Sequence, residues 1–223
     1  MRHFEQEMRG ETLVVTLSNP PYNTLRSDIL EEGAAVLADL LRDPPAGGVV
    51  LTGQGQDFTR GMDTKVAATF DQAGANRARA GINAFCASLH RLPCALVCAV
   101  NGHAIGAGGI MALCGDWVVT SDGEQRIGLP EAKAGLVFPT VAQAILDHWL
   151  DPVWRRRLAL SSQLLGPQEA LAAGLVDEIV ATDKVLETAV QRAGELMAQP
   201  GFVACKRQLR AKANAEIDAL MSE

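Results

Sequence analysis

Short apolar runs alternate with amphipathic stretches along the first half of the chain. Residues 12–17 (TLVVTL) are apolar and β-branched and end at Ser18-Asn-Pro-Pro, which predicts a strand followed by a turn. Residues 27–42 carry apolar side chains at helical spacing and are followed by a Pro-Pro pair, which predicts a helix. Residues 48–53 form a second apolar run between glycines. This alternation favours an α/β protein with a largely parallel sheet.

The same alternation continues to the C-terminus. Apolar runs predict further strands at 94–100, 117–120 and 175–180. Helical spacing and capping residues predict helices at 76–91, 140–150, 151–160, 167–174, 183–198 and from 202 onward. No linker or low-complexity tract interrupts the pattern, so we expect one domain over 1–223, with a core at 1–180 and a helical region at 181–223.

Composition argues against several classes of protein. The net charge of −6 does not suit general nucleic-acid binding, and no apolar run reaches the roughly 18 residues of a membrane span. The polar N-terminus does not resemble a signal peptide, so we expect a cytoplasmic protein. The five cysteines form no C-x-x-C pair, which favours buried thiols in a reducing compartment over a metal site.

The segment from Asn101 to Asp116 is the most informative stretch of the sequence. It has four glycines, at 102, 106, 108 and 109, between a predicted strand and a short apolar run. A strand, a glycine turn and a helix N-terminus together expose backbone N–H groups, which bind anions or a carbonyl oxygen that gains charge. A dinucleotide site is the alternative, but the third glycine position of the G-x-G-x-x-G fingerprint holds Met111.

Three other segments of the chain also carry recognisable motifs: residues 19–25, residues 166–180 and Phe58-Thr-Arg-Gly-Met-Asp63, whose common form is F-S-A-G-x-D. Together with residues 101–116, and in their order along the chain, these motifs resemble the enoyl-CoA hydratase/isomerase (crotonase) superfamily over nearly the whole chain. The resemblance implies an α/β crotonase (ClpP-like) spiral of ββα units with a C-terminal helical region. It also implies an acyl-CoA substrate and a homotrimer or a dimer of trimers.

The resemblance assigns an oxyanion hole to two backbone N–H groups, those of Met62 and Ala107. Substrate-binding positions carried over from the family surround them: Asn23, Leu25, Gly61, Asp63, Gly106 and Pro130. Because the coenzyme A thioester is itself the substrate, neither a cofactor nor a metal is expected. Four basic residues are expected to be surface charges or contacts for coenzyme A phosphates: Arg26, Lys65, Lys206 and Arg207.

Glu131 is the candidate acid–base group. Residues 127–136 (IGLPEAKAGL) resemble the G-x-P-E segment whose glutamate is catalytic in the family. Apolar neighbours, for which we expect Leu129, Leu136 and Val137, would raise the pKa of this carboxyl toward neutral pH, which suits a general base. Without the resemblance, an acid near a helix N-terminus is the simpler interpretation.

Two departures from the family pattern discriminate between reactions. Hydratases of the family use a second glutamate, and the ungapped match places Ile110 at its position. Dienoyl-CoA isomerases add an aspartate after the glutamate, and Pro139 stands there. The Δ3,Δ2-enoyl-CoA isomerases resemble the chain better, because they keep one glutamate and share its N-P-P-x-N-[ST]-L and I-G-L-x-E segments. In that reaction one carboxylate can remove a proton from C2 of the acyl chain and return it to C4, because the dienolate joins both carbons.

Alternatives remain open from the sequence. Hydration, thioester hydrolysis or decarboxylation would use the same oxyanion hole, and a non-catalytic acyl-CoA-binding protein is compatible with loss of the hydratase glutamate. The chain ends at Glu223, earlier than many members of the family, so we expect the cover of its acyl pocket to differ. The acyl group is therefore not identified.

Overall fold

The computed structural model describes residues 2–222. Its strands are β1 (Phe4–Arg9), β2 (Thr12–Leu17), β3 (Val49–Gly53), β4 (Asp57–Thr59), β5 (Leu96–Val100), β6 (His103–Ile105), β7 (Trp117–Ser121), β8 (Ile127–Gly128), β9 (Leu164–Leu165) and β10 (Glu178–Val180). Its helices are α1 (Ser27–Arg42), α2 (Thr64–Ala67), α3 (Gln72–Arg91), α4 (Ala107–Leu113), α5 (Thr140–Trp149), α6 (Pro152–Ser161), α7 (Pro167–Ala172), α8 (Val185–Met197) and α9 (Phe202–Met221). Every predicted strand and helix is present; β2 and α1 have the predicted bounds, and the ends of the others shift.

The larger sheet confirms the predicted parallel arrangement. Its six strands run in the order β1-β2-β3-β5-β7-β10, and every pair except β1 with β2 is parallel. The antiparallel edge strand β1 has no counterpart among the sequence predictions. Only Phe4 of its six residues is buried, so the strand lacks the apolar run by which the others were recognised.

The chain repeats a ββα unit three times. In each unit the first strand joins the larger sheet, and the second joins a smaller sheet ordered β4-β6-β8-β9. The units run from β3 through β4 to α3, from β5 through β6 to α4, and from β7 through β8 to α5. The predicted ββα spiral is therefore confirmed, and the repeat lies in the topology, since no residue motif recurs.

Both faces of the larger sheet are covered. Alternate side chains such as Val50 and Val97 pack against Ala189 and Ala193 of α8. The intervening side chains, such as Leu51, face a larger core built with α1 and α3. Burial on both faces explains why the strands are continuous apolar runs without alternation of polar residues.

A buried ion network fastens α9 to this core. Asp116 accepts hydrogen bonds from Lys206 Nζ at 2.6 Å and from Arg210 Nη2 at 2.7 Å, and the three side chains are buried. Lys206 also donates to Cys94 O at 2.6 Å. Burial lowers the pKa of the Lys206 ammonium, and the nearby Asp116 carboxylate opposes that shift. The expectation that Lys206 is a surface charge is wrong, because it shares with Arg210 the inward face of the helix.

Replacement of Asp116 by alanine should lower the free energy of unfolding by about 3–5 kcal/mol, because two buried cations lose their counter-ion. The matched control is Asp39→Ala, which breaks an exposed pair with Arg42 and should cost less than about 1 kcal/mol. Urea denaturation of both variants measures the difference. Equal losses in the two variants would contradict the importance of the network.

Candidate active site

The first loop orients the Met62 N–H through its neighbours. Gly61 follows β4 with a φ of +74°, a conformation that favours glycine. Its carbonyl accepts from Leu25 N at 2.8 Å, and Leu25 O in turn accepts from Asp63 N at 3.0 Å. Because a trans peptide is planar, its C=O and N–H point in opposite directions. The Met62 N–H therefore points away from Leu25, and it makes no hydrogen bond within the described residues.

The second loop orients the Ala107 N–H by the same rule. Gly106, with a φ of +60°, immediately precedes α4. Its carbonyl accepts from Gly109 N at 2.9 Å and from Ile110 N at 3.2 Å, so it points along the helix. The Ala107 N–H of the same peptide then points out of the helix N-terminus, where the first turn of a helix has no internal partner.

The two loops touch each other. A Cβ atom on Gly61 would lie 3.2 Å from Ala107 N and 2.6 Å from Ile105 O. Only a glycine permits this approach, which brings the peptides of Met62 and Ala107 side by side. Their N–H groups form the candidate donor pair for an oxyanion.

Glu131 lies against the second loop. A Cβ atom on Gly106 would be 3.3 Å from Glu131 Oε1, and Glu131 Oε2 is buried without a hydrogen-bond partner in the described part of the chain. Burial raises the pKa of this carboxyl to about 7, and a bond from its own backbone N–H opposes the shift. A group with such a pKa can both accept and return a proton near neutral pH.

Only one of the three apolar neighbours expected to bury Glu131 is itself buried. Leu129 is buried as expected, but Leu136 and Val137 are 52% and 76% exposed. They follow Glu131 in a turn in which Leu136 N donates to Glu131 O at 2.9 Å, and this turn carries their side chains toward solvent. The carboxylate is buried against the glycine loop instead.

Asn23 and Leu25 lie behind the first loop. Both are almost fully buried. The Asn23 amide donates to Gln54 O at 2.9 Å and to Asp57 O at 2.7 Å. In this structure these two residues support the loop from inside the protein, and their direct contact with a ligand stays a prediction.

Asp63 and Pro130 order the segments on either side of the site. The Asp63 carboxylate caps α2 by accepting from the backbone N–H groups of Lys65 and Val66 at 3.0 and 3.2 Å. Pro130 O accepts from Ala134 N at 3.1 Å and so begins the turn that holds Glu131. Their direct contact with a ligand stays a prediction.

Thr59 was not singled out from the sequence. Its hydroxyl bonds to both Asn23 O and Gly61 N, at 2.6 and 3.1 Å. The available signal was its place in the F-S-A-G-x-D pattern, where it substitutes one hydroxyl side chain for another.

Four other features of the described residues bear on function. Ile110 is buried in α4, where the hydratase pattern would have a carboxylate. A cavity of about 460 Å³ opens at the other end of α4, between Trp149 and Phe202; Lys206 lines it, but Glu131 and the two oxyanion loops do not. Within residues 2–222, no group of three His, Cys, Asp or Glu side chains is placed to hold a metal ion. No helix in the same range is long and apolar enough to cross a membrane.

Comparison with known proteins identifies the family and the fold of the chain. Residues 7–222 match the sequence model of the enoyl-CoA hydratase/isomerase family, and the chain belongs to that family. Its two sheets and repeated ββα units are the crotonase fold.

Relatives with different reactions match the chain about equally. A probable enoyl-CoA hydratase of Mycobacterium avium (strain 104) is 32% identical over 211 residues, which are 93% of this chain and 78% of that protein. The solved structure of human mitochondrial Δ3-Δ2-enoyl-CoA isomerase has a TM-score of 0.88 and 25% identity, over 99% of this chain and 91% of that one. An enoyl-CoA hydratase from Mycobacterium marinum has the same TM-score and identity, over 99% and 96%. The reaction must therefore be argued from the site.

Glu131→Gln should raise the free energy of unfolding at pH 8, and by much less at pH 5. Because the pKa of this carboxyl rises from 4.5 to about 7 on folding, the folded state binds the proton more tightly. The stabilisation that the protonated Glu131 carboxyl gives the wild-type fold is complete below pH 4.5 and is lost as the pH rises through 7. At about 1.4 kcal/mol per pKa unit, the gain at pH 8 reaches at most about 3.5 kcal/mol. Urea denaturation at both pH values tests this, and a gain independent of pH would contradict it.

Proposed function

We propose that this chain isomerises a 3-enoyl-CoA to the trans-2-enoyl-CoA. The observation that carries the proposal is the buried carboxylate of Glu131 beside the candidate donor loops, with no partner for its Oε2 in the described residues and with Ile110 at the position of a second acid. No further cofactor is required, because the coenzyme A thioester is the substrate and the reaction moves one proton.

The proposed reaction begins with removal of a proton from C2. Glu131 accepts this proton while the thioester carbonyl becomes an enolate oxygen. The N–H groups of Met62 and Ala107 stabilise that oxygen, and a single donor of this kind contributes roughly 3 kcal/mol to the transition state. The negative charge is shared between C2 and C4, so the same carboxyl returns the proton to C4. The double bond then lies between C2 and C3.

The buried position of Glu131 suits this shuttle. A carboxyl with a pKa of about 7 holds the proton long enough to return it and is still ionised often enough to begin the next cycle. Oε2 is buried and has no hydrogen-bond partner within residues 2–222, so no other group of the described chain competes for the proton there.

Ile110 argues for isomerisation over hydration. Water addition needs a group that activates the water, and a buried isoleucine side chain has no titratable atom. Several relatives are named hydratases, so hydration is the second candidate, with Glu131 acting alone. Hydrolysis and decarboxylation have no observation in their favour beyond the shared oxyanion loops, and Ile110 is compatible with binding without turnover, against which the buried Glu131 argues.

We also propose a homotrimer or a dimer of trimers as the working form, as the family resemblance implies, and a cytoplasmic location. We further propose that residues flanking the donors, including Gly61, Gly106 and Pro130, contact the thioester. Neither nucleic acid nor a membrane has a part in this proposal.

Glu131→Gln should reduce isomerisation of a 3-enoyl-CoA by at least 100-fold while acyl-CoA binding changes little. The amide keeps the shape of the side chain but cannot accept the proton, and acid–base catalysis contributes roughly 100- to 10,000-fold. The loss should appear in kcat and not in affinity. Turnover by absorbance and calorimetric binding of a saturated acyl-CoA test this pair of expectations. Retained turnover would remove Glu131 from the mechanism, and a wild type that binds tightly but turns over no substrate would favour a binding protein.

Crotonyl-CoA should be hydrated very slowly by the wild-type chain. Because Ile110 cannot activate water, we expect a rate well below the range of about 1–1000 per second typical of enzymes. The decrease of the enoyl absorbance measures hydration, and isomerisation of 3-hexenoyl-CoA in the same preparation is the positive control. Hydration within the usual enzyme range would make the hydratase alternative correct.

A further inference from the structure

Thr59 holds the first oxyanion loop from within the protein. It is the last residue of β4 and is fully buried. Its Oγ1 donates to Asn23 O at 2.6 Å and accepts from Gly61 N at 3.1 Å. Gly61 is therefore held at both ends, since its carbonyl is bound by Leu25 N. These two anchors fix the peptide that carries the Met62 N–H.

The same residue supports the second loop. A Cβ atom on Gly108 would lie 2.5 Å from Thr59 O and 2.9 Å from Thr59 Cγ2, so the first turn of α4 rests directly on Thr59. Thr59 is also paired with Ala104 where β4 meets β6. One side chain thus contacts both segments that provide the candidate donors, with its hydroxyl on the first and its methyl group on the second.

We propose that Thr59 is a positioning residue that sets the direction of the Met62 N–H and its distance from the Ala107 N–H. This inference rests on the proposed role of the two donors in binding a thioester oxygen. It concerns polarisation of the carbonyl and does not require that isomerisation be the reaction catalysed.

Two substitutions separate the contribution of the Thr59 hydroxyl from that of its methyl group. Thr59→Val keeps the size and the branched shape, but it leaves Asn23 O and Gly61 N without their partner. Thr59→Ser keeps the hydroxyl and removes the methyl group that faces Gly108. If orientation by the hydroxyl matters most, the valine variant is the defective one and serine restores function.

The kinetic experiment compares these variants on a 3-enoyl-CoA. Because complete loss of an oxyanion donor costs roughly 100- to 1000-fold in kcat, we expect misorientation in Thr59→Val to cost about 10- to 100-fold, with KM changed less than about threefold. Thr59→Ser should recover kcat to within about fivefold of wild type. The matched control is Thr12→Val, which removes another buried threonine hydroxyl, bonded to Gly47 O at 3.0 Å and remote from both loops. Its kcat should stay at the wild-type value.

A spectroscopic readout reports the positioning directly. The absorbance of 2,4-hexadienoyl-CoA should shift to longer wavelength on binding, because hydrogen bonds to the thioester oxygen polarise the conjugated system. We expect this shift in the wild type, Thr59→Ser and Thr12→Val, and a reduced shift in Thr59→Val. Thermal denaturation of each variant establishes that it is folded.

The outcomes separate this inference from the proposed function. A folded Thr59→Val variant with wild-type kcat and the full spectral shift would overturn the inference, as would a serine variant as defective as the valine variant. If the wild type isomerises no 3-enoyl-CoA but shows a shift that Thr59→Val loses, the positioning role stands and the proposed reaction fails. A wild type with neither turnover nor shift would overturn both.

Discussion

The pairing of β4 with β6 is the contact on which the candidate site depends. These two strands are three residues each and are far apart in sequence, yet they lie parallel and deliver the loops that follow them to the same edge of the smaller sheet. The backbone of one loop then approaches the other closely enough that Gly61 cannot carry a side chain. Without this pairing, the Met62 and Ala107 peptides would have no reason to be neighbours.

The orientation of these peptides follows from hydrogen bonds made on their other side. Leu25 holds the carbonyl of Gly61, and the first turn of α4 holds the carbonyl of Gly106. In each peptide the bound C=O forces the N–H to point the opposite way. Such donors are fixed before any substrate arrives, and this preorganisation is the usual source of their catalytic value. Leu25, which the motif predicts as a substrate-binding position, supports the first loop in this way.

Burial has opposite consequences in two parts of the molecule. Around Asp116 it is matched by partners, because Lys206 and Arg210 complete the network that holds α9. At Glu131 it is not matched, and the carboxyl has one oxygen without a partner in the described residues and a pKa raised to about 7. An unpaired buried acid destabilises the fold when ionised, which is typical of groups kept for chemistry and not for stability.

Much of the fold and part of the site were predictable from the sequence. Apolar runs and helical spacing placed five of the six strands of the larger sheet and most of the helices, and the glycines of 101–116 indicated a backbone donor, because these signals are local. The segment around Pro130 indicated Glu131 through the family resemblance. The short strands β4, β6, β8 and β9 had no counterpart among the predictions. Contacts between distant segments were not predictable. The exposed strand β1 has no apolar pattern, Leu136 and Val137 point to solvent, and Lys206 is buried, since each depends on which face another element covers. The sequence by itself determined which residue types are available for proton transfer and oxyanion binding. Only the tertiary structure decided that two peptides 45 residues apart (62 to 107) lie together beside one carboxyl, because that proximity arises from strand pairing across the repeated units.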